Sequence, residues 1–197
     1  MNPDAKKSAL NLANKITIGR ILLIPVFVLL ILTYVNSKTE AEWLRILAIC
    51  VFILAVLTDA VDGFIARTRG QKTPLGTFLD PLADKLLLTS AIVLLTLPNL
   101  NFNYRLPLWF TVLAISRDAI ITLGALVIHI LNGSVRIVPS LFGKLTTFSQ
   151  MGVVVWLLFK WPYPEIWVYG AALVTFVSGI GYIIFGSRQL NGSIKST

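Results

Sequence analysis

The chain has 197 residues, of which 56% are hydrophobic and only 13% charged, with a formal net charge of +8 and a mean hydropathy of +0.80. These values exclude an ordinary soluble domain. The positive balance does not point to nucleic acid either, because the basic residues are scattered around apolar runs; orientation in a membrane, contact with anionic membrane lipids and phosphate binding account for them better.

The first residues, MNPDAKKSALNLANK, lack the charged segment, apolar core and small-residue cleavage site of a removable secretion signal, so the first apolar run is expected to be retained. Charge mixed with Ala and Leu between Asn2 and Asn14 fits a short amphipathic helix at the membrane surface. Several apolar stretches then reach the roughly 20 residues that a helix rising about 1.5 Å per residue needs to cross a bilayer. Six helices are predicted over Ile16 to Val35, Trp43 to Ala66, Asp80 to Leu97, Leu106 to Leu131, Ser140 to Trp161 and Ile166 to Phe185. The expected fold is therefore an all-α integral membrane protein, a six-transmembrane-helix bundle with a short N-terminal interfacial helix, forming one domain over residues 1–197 without an internal repeat.

Six crossings place both termini on one side. That side carries twelve of the seventeen basic residues, in the segments from Lys6 to Arg20, Arg67 to Lys85, Arg136 to Lys144 and Arg188 to Lys195; the opposite side carries Lys38, Arg45, Arg105 and Lys160. Cytoplasmic loops hold the Lys and Arg excess, so the expectation is a multi-pass protein of the cytoplasmic membrane with its N-terminus inside. Trp109, Trp156, Trp161 and Trp167 fall near predicted span ends and fit an interfacial aromatic belt. Pro25, Pro107 and Pro139 are expected to kink helices or mark first turns. Cys50, alone in an apolar run, reads as a small core residue, and His129, without His or Cys neighbours, is not expected to bind metal.

Of nine acidic residues in the chain, Asp59, Asp62, Asp80 and Asp84 fall in one short stretch beside two predicted spans. A carboxylate at membrane depth costs at least a few kcal/mol unless it faces a cavity or a cation. On a helix, Asp59 and Asp62 lie about 60° apart and Asp80 and Asp84 about 40° apart, so each pair shares a face. The intervening TRGQKTPLG, with Gly70, Pro74 and Gly76, can break the helix and return the second pair toward the first. Such a cup of hard oxygens suits Mg2+, Mn2+ or Ca2+ better than zinc, and two ions there could straddle a diphosphate. The plainer reading is a set of salt bridges with Arg67, Arg69, Lys72 and Lys85 at a helix end.

The pattern Asp59-x2-Asp62-Gly63-x2-Ala66-Arg67-x8-Gly76-x3-Asp80-x3-Asp84, eight specified positions over 26 residues, resembles the CDP-alcohol phosphotransferase signature without a departure. The resemblance implies a CDP-linked lipid donor, two divalent ions (Mg2+ or Mn2+) and a homodimer. It implies Asp59, Asp62 and Asp80 as metal ligands and Asp84 as the acceptor of the hydroxyl proton, near a metal. Gly63, Ala66 and Gly76 would leave space for close approach of the nucleotide, Arg67 would meet the CDP diphosphate, and Thr73 would be a further donor contact.

The acceptor must be chosen elsewhere. Asn14 and Thr17, followed by Arg20 and Pro25, are similar to the Asn-x-x-Thr-x-x-Arg opening of bacterial phosphatidylglycerophosphate synthases, and Asn14 and Thr17 join the expected CDP-diacylglycerol contacts. Arg117, mid-span with Asp118 next to it, reads either as half of a buried ion pair or as a ligand for the phosphate of glycerol 3-phosphate; adjacent residues point about 100° apart, which argues against a simple pair. Ser140, Gly143, Lys144, Thr147 and Gln150 resemble the Gly-Lys-x-Lys-Thr-x-x-Gln pattern of the same enzymes, with Thr146 standing where the second Lys belongs. Arg136 and Lys144 are read as acceptor-phosphate contacts or as topological anchors. The expected reaction makes phosphatidylglycerophosphate and CMP from CDP-diacylglycerol and glycerol 3-phosphate, with the site facing the cytoplasm. Alternatives are a family member using inositol phosphate, serine or phosphatidylglycerol, and, from another class, a cation transporter using intramembrane carboxylates.

Overall fold

A computed structural model describes residues 12–37, 41–68, 74–98, 102, 104–132 and 141–194. Among these residues there are six α-helices and no strand: α1 (Leu12–Asn36), α2 (Glu42–Thr68), α3 (Pro74–Thr96), α4 (Leu108–Asn132), α5 (Leu141–Leu158) and α6 (Pro164–Ile194). The chain divides into two compact units, Met1–Asn101 with α1 to α3 and Phe102–Thr197 with α4 to α6.

In the first unit α1 packs along both α2 and α3. Its buried residues, Thr17, Arg20, Ile24, Phe27, Ile31 and Tyr34, recur every three or four positions and so form one stripe. Phe27 meets Phe52 of α2 with ring centroids 5.5 Å apart. Ala48 and Ala55 on α2 and Ala83 and Ala91 on α3 are fully buried, small side chains that let the helix backbones come close. At the far end of the α1–α2 pair, the Tyr34 hydroxyl donates to Glu42 at 3.0 Å and Arg45 Nε donates to the same carboxylate at 2.6 Å.

In the second unit α6 packs against α4 and α5. Its inward face is built of small residues, Ala171, Ala172, Thr175 and Ser178, the composition that permits close helix contact without large side chains. The α5–α6 turn is a Schellman cap. Lys160 N donates to Leu157 O at 3.0 Å and Trp161 N to Trp156 O at 3.2 Å, with Lys160 at φ 56° where glycine is usual. The apolar contact that accompanies such a cap is here Trp156 against Trp161, 4.7 Å between centroids, with Trp167 4.6 Å from Trp156.

Among the described residues two segments, Thr17–Asn36 and Pro164–Ile184, are long and apolar enough to cross a bilayer. Large apolar side chains also cover the outer faces, including Leu22 and Leu29 on α1, Leu54 and Leu57 on α2, and Leu173 and Phe176 on α6. Helices apolar all round, with their outer faces uncovered, belong in lipid.

Element bounds differ from expectation at the prolines. The third helix begins at Pro74 instead of Asp80 and the sixth at Pro164, because a locked φ suits a first helical turn. Pro25 lies inside α1, and Pro107 precedes α4 with its carbonyl accepting from Phe110 N at 3.0 Å. Pro139, and the interfacial helix expected over Asn2 to Asn14 except its last three residues, lie outside the described residues; α1 already begins at Leu12. Cys50 corrects the core reading: it is exposed on α2, since apolar neighbours mark a core only when the surroundings are water.

Candidate active site

The signature residues fall on two helix ends joined by a short connection. Asp59, Asp62, Gly63, Ala66 and Arg67 occupy the last turns of α2, and Gly76, Asp80 and Asp84 the first turns of α3. Five residues, 69–73, lie between them and outside the described residues, Thr73 included. Even fully extended they separate the two helix ends by no more than about 20 Å. The backbone is helical at both places, which the shared faces expected from the i,i+3 and i,i+4 spacings presuppose. The side chains of Asp59, Asp62, Gly63, Ala66, Arg67, Gly76 and Asp80 lie outside the described residues.

Asp84 is described, and α1 supplies its partner. Arg20 Nη1 donates to Asp84 Oδ1 at 2.9 Å across 64 residues of sequence. The Arg20 side chain is 0% exposed and that of Asp84 30%. Arg20 stands on the same stripe as Thr17, itself buried; the side chain of Asn14 lies outside the described residues. Thr17 and Arg20 thus begin the described part of the buried face of α1, which delivers Arg20 to the fourth signature carboxylate.

Arg20 was absent from the expected ligand set. Its signal was available: a cation at membrane depth needs an anion, and Arg20 lies in an apolar run of a chain whose acidic residues gather in the signature.

Carboxylate oxygens are the ligand chemistry of Mg2+ and Mn2+, and the four aspartates fit a divalent ion in this respect. Asp84 suits a further role beside its arginine, since a carboxylate has about four acceptor positions and the bond from Arg20 Nη1 uses one of them. Among the described residues no three His, Cys, Asp or Glu side chains gather, three of the four aspartates being outside that set.

Arg117, on α4, corrects an expectation. Its Nη1 does pair with Asp118 Oδ1, at 2.8 Å, although the two Cβ atoms point apart; the long guanidinium arm folds back around the helix. Nη2 donates to Ser178 Oγ of α6 at 2.8 Å, and the guanidinium carbon lies 5.5 Å from the Tyr182 ring centroid. Nε is buried without a hydrogen-bond partner among the described residues. Ser178 and Tyr182, four residues apart on α6, were not singled out in the sequence, where a serine and a tyrosine in an apolar run carry no distinguishing mark.

The remaining candidates divide. Lys144 is exposed on α5, beside Phe142, Leu145 and Phe148 around an open depression of about 480 Å³; Arg136 lies outside the described residues. Thr146, where the related pattern has lysine, is fully buried, its hydroxyl donating to Phe142 O at 2.8 Å and standing 3.4 Å from Val174 O of α6. An ammonium there would enter a helix contact. Gln150 is a packing residue as well, its Nε2 donating to Thr175 Oγ1 at 3.2 Å.

The family model for CDP-alcohol phosphatidyltransferase matches residues 10–178. Over 188 residues the chain is 34% identical to a probable phosphatidylglycerophosphate synthase of Mycobacterium tuberculosis, covering 92% of this chain and 84% of that one. It is 33% identical over 186 residues to a CDP-diacylglycerol–glycerol-3-phosphate 3-phosphatidyltransferase of Bacillus subtilis, covering 87% and 93%. An Escherichia coli protein of the same description is 35% identical over 166 residues, covering 84% and 85%.

Proposed function

The chain belongs to the CDP-alcohol phosphatidyltransferase family, and from that premise we propose that it transfers the phosphatidyl group of CDP-diacylglycerol to glycerol 3-phosphate. The observation that carries the reading is the complete eight-position signature set on the adjoining ends of α2 and α3. The similarity to relatives described as phosphatidylglycerophosphate synthases supports the acceptor.

In this reading a glycerol 3-phosphate hydroxyl oxygen attacks the phosphatidyl phosphorus, the bond from that phosphorus to the bridging diphosphate oxygen breaks, and CMP leaves. Asp84 takes the hydroxyl proton on a carboxylate oxygen, which requires it to come within about 2.6–3.2 Å of that hydroxyl. Asp59, Asp62 and Asp80, with Asp84 beside them, would hold two Mg2+ or Mn2+ ions. Bound there, the ions would neutralise the diphosphate oxygens and the charge developing on the leaving group. Gly63, Ala66 and Gly76 leave room for the nucleotide, with Asn14, Thr17, Arg67 and Thr73 as donor contacts. Arg117, Arg136 and Lys144 are assigned to the acceptor phosphate; for Arg117 this means exchanging Asp118 for the substrate.

The six helices are read as six crossings of the cytoplasmic membrane in a homodimer, with the signature on the cytoplasmic side. The basic excess around Lys6 to Arg20 and Arg67 to Lys85 supports that orientation.

The test is CMP release by purified protein given CDP-diacylglycerol and magnesium, with glycerol 3-phosphate, inositol phosphate, serine and phosphatidylglycerol supplied separately. Release confined to glycerol 3-phosphate, abolished by chelation and restored by Mg2+ or Mn2+, is the expected result. Release with another acceptor keeps the family and replaces the substrate.

A further inference from the structure

Arg20 has three properties that a mere topological anchor does not need. It is wholly buried, with its side chain at 0% exposure. It sits on the α1 stripe that packs the first unit together, between Thr17 and Ile24. Its one described carboxylate partner is Asp84, the signature residue assigned to proton transfer, at 2.9 Å.

The Asp84 side chain ends in a torsion between tetrahedral and planar carbon, which is soft and broad by itself. A charge-assisted N–H bond to one of its oxygens narrows that freedom, and it does so from a donor that is itself immobilised by packing. A base is effective only at hydrogen-bond reach of its proton, and a displacement of about 1 Å in such an arrangement can cost on the order of 100-fold in rate. With Oδ1 bound to Arg20, the orientation of the whole carboxylate plane is set from α1.

We propose that Arg20 is a positioning residue for the transfer reaction, acting through Asp84: its Nη1 fixes the carboxylate in the orientation from which it accepts the acceptor's hydroxyl proton. The role rests on the assignment of Asp84 as the base. Geometry matters here as much as charge, because a guanidinium is planar and presents its N–H groups in a rigid fork, whereas lysine offers a point charge on a flexible stem.

The experiment measures kcat and both KM values of the purified full chain with Mg2+, CDP-diacylglycerol and glycerol 3-phosphate, for Arg20→Lys, Arg20→Gln, Asp84→Asn and the Arg20→Gln/Asp84→Asn double variant. Thermal unfolding in detergent is recorded for each. The expected result is a kcat lowered about 10- to 100-fold in Arg20→Gln and less in Arg20→Lys, with both KM values within about threefold of the parent. The double variant should be no slower than Asp84→Asn alone, because the base through which Arg20 acts is then already gone.

Losses that multiply in the double variant, or a KM for CDP-diacylglycerol that rises with kcat kept, overturn the proposal and make Arg20 a donor contact. A kcat that falls only in proportion to the folded fraction makes it a packing residue. Should Arg20→Gln not fold, Arg20→Lys decides, since it keeps the buried charge and alters only the geometry. Parent kcat in the Arg20 variants with an inactive Asp84→Asn removes the positioning role alone; parent kcat in Asp84→Asn removes the base assignment itself.

Discussion

Arg117 Nη2 donates to the Ser178 hydroxyl at 2.8 Å, tying α4 to α6 through a residue that is 7% exposed. Hydrogen bonds to a charged partner are worth about 1.5–3 kcal/mol, so Ser178→Ala should lower the unfolding stability of the protein in detergent by roughly that amount. Replacing Arg117 by Met leaves the Asp118 carboxylate, 24% exposed, without its cation. Arg117→Met is therefore expected to be more damaging than the double change Arg117→Met/Asp118→Leu, since stranding one member of a pair costs more than removing both. The acceptor assignment adds a separate kinetic expectation. Arg117→Lys should raise KM for glycerol 3-phosphate by about tenfold, a loss of about 1.4 kcal/mol in binding, and leave that for the donor unchanged.

What the sequence made legible was local. The apolar run from Ile16 to Val35 lies within α1, and the signature aspartates stand on two helix ends, α3 starting at Pro74. What it did not make legible was reach. The Arg117 and Asp118 directions differ by about 100° at Cβ, yet the arginine arm is long enough to cancel that difference. Arg20 and Asp84 lie 64 residues apart, and only the packing of α1 on α3 brings them to 2.9 Å. Cys50 was misread for a third reason: in lipid an apolar run has no inside, so hydrophobicity does not tell α2's packed face from its exposed one.

Gln150 and Thr175 form a second polar tie, between α5 and α6, with the Gln150 amide donating at 3.2 Å and the threonine hydroxyl in turn donating to Ala171 O at 2.7 Å. Both residues are buried. Thr175→Val orphans the Gln150 amide, whereas Gln150→Leu/Thr175→Val removes the donor and its partner together. The single change should destabilise by about 1–2 kcal/mol and the double by less, although couplings between membrane helices average nearer 0.6 kcal/mol. Thermal unfolding of the two variants beside the parent reads the difference; a double variant weaker than the single one would contradict it.

Tyr104, in the loop before α4, has its phenol pushed above the usual 10.0 by burial first, and then by the charge of Glu165 and the neighbouring Tyr169. A raised folded-state value means that the folded protein holds this proton more tightly than the unfolded chain. The associated stability is fully present below pH 10.0 and is lost as pH rises through the higher folded value. Glu165→Gln removes one of the three causes and should lower the midpoint of Tyr104 ionisation. The check is phenolate absorbance against pH, with a Tyr104→Phe variant identifying the signal; an unchanged midpoint in Glu165→Gln would remove Glu165 from the causes.

Lys160 closes α5 in the left-handed conformation, at φ 56°, where the cap geometry calls for a residue without a Cβ penalty. The conformation costs an L-residue roughly 1–2 kcal/mol, and glycine escapes it while giving back about 0.4–1 kcal/mol through the greater freedom of its unfolded chain. Lys160→Gly should accordingly be neutral or stabilising by up to about 1 kcal/mol. A β-branched residue at the same place adds crowding to the strain, so Lys160→Val should destabilise. The Trp156 indole, whose Nε1 donates to Pro162 O at 3.0 Å across this turn, reports the outcome through its fluorescence. The glycine variant should keep the parent emission and melt no earlier, while the valine variant should shift emission to the red as the turn opens and the cluster of Trp156, Trp161 and Trp167 loosens.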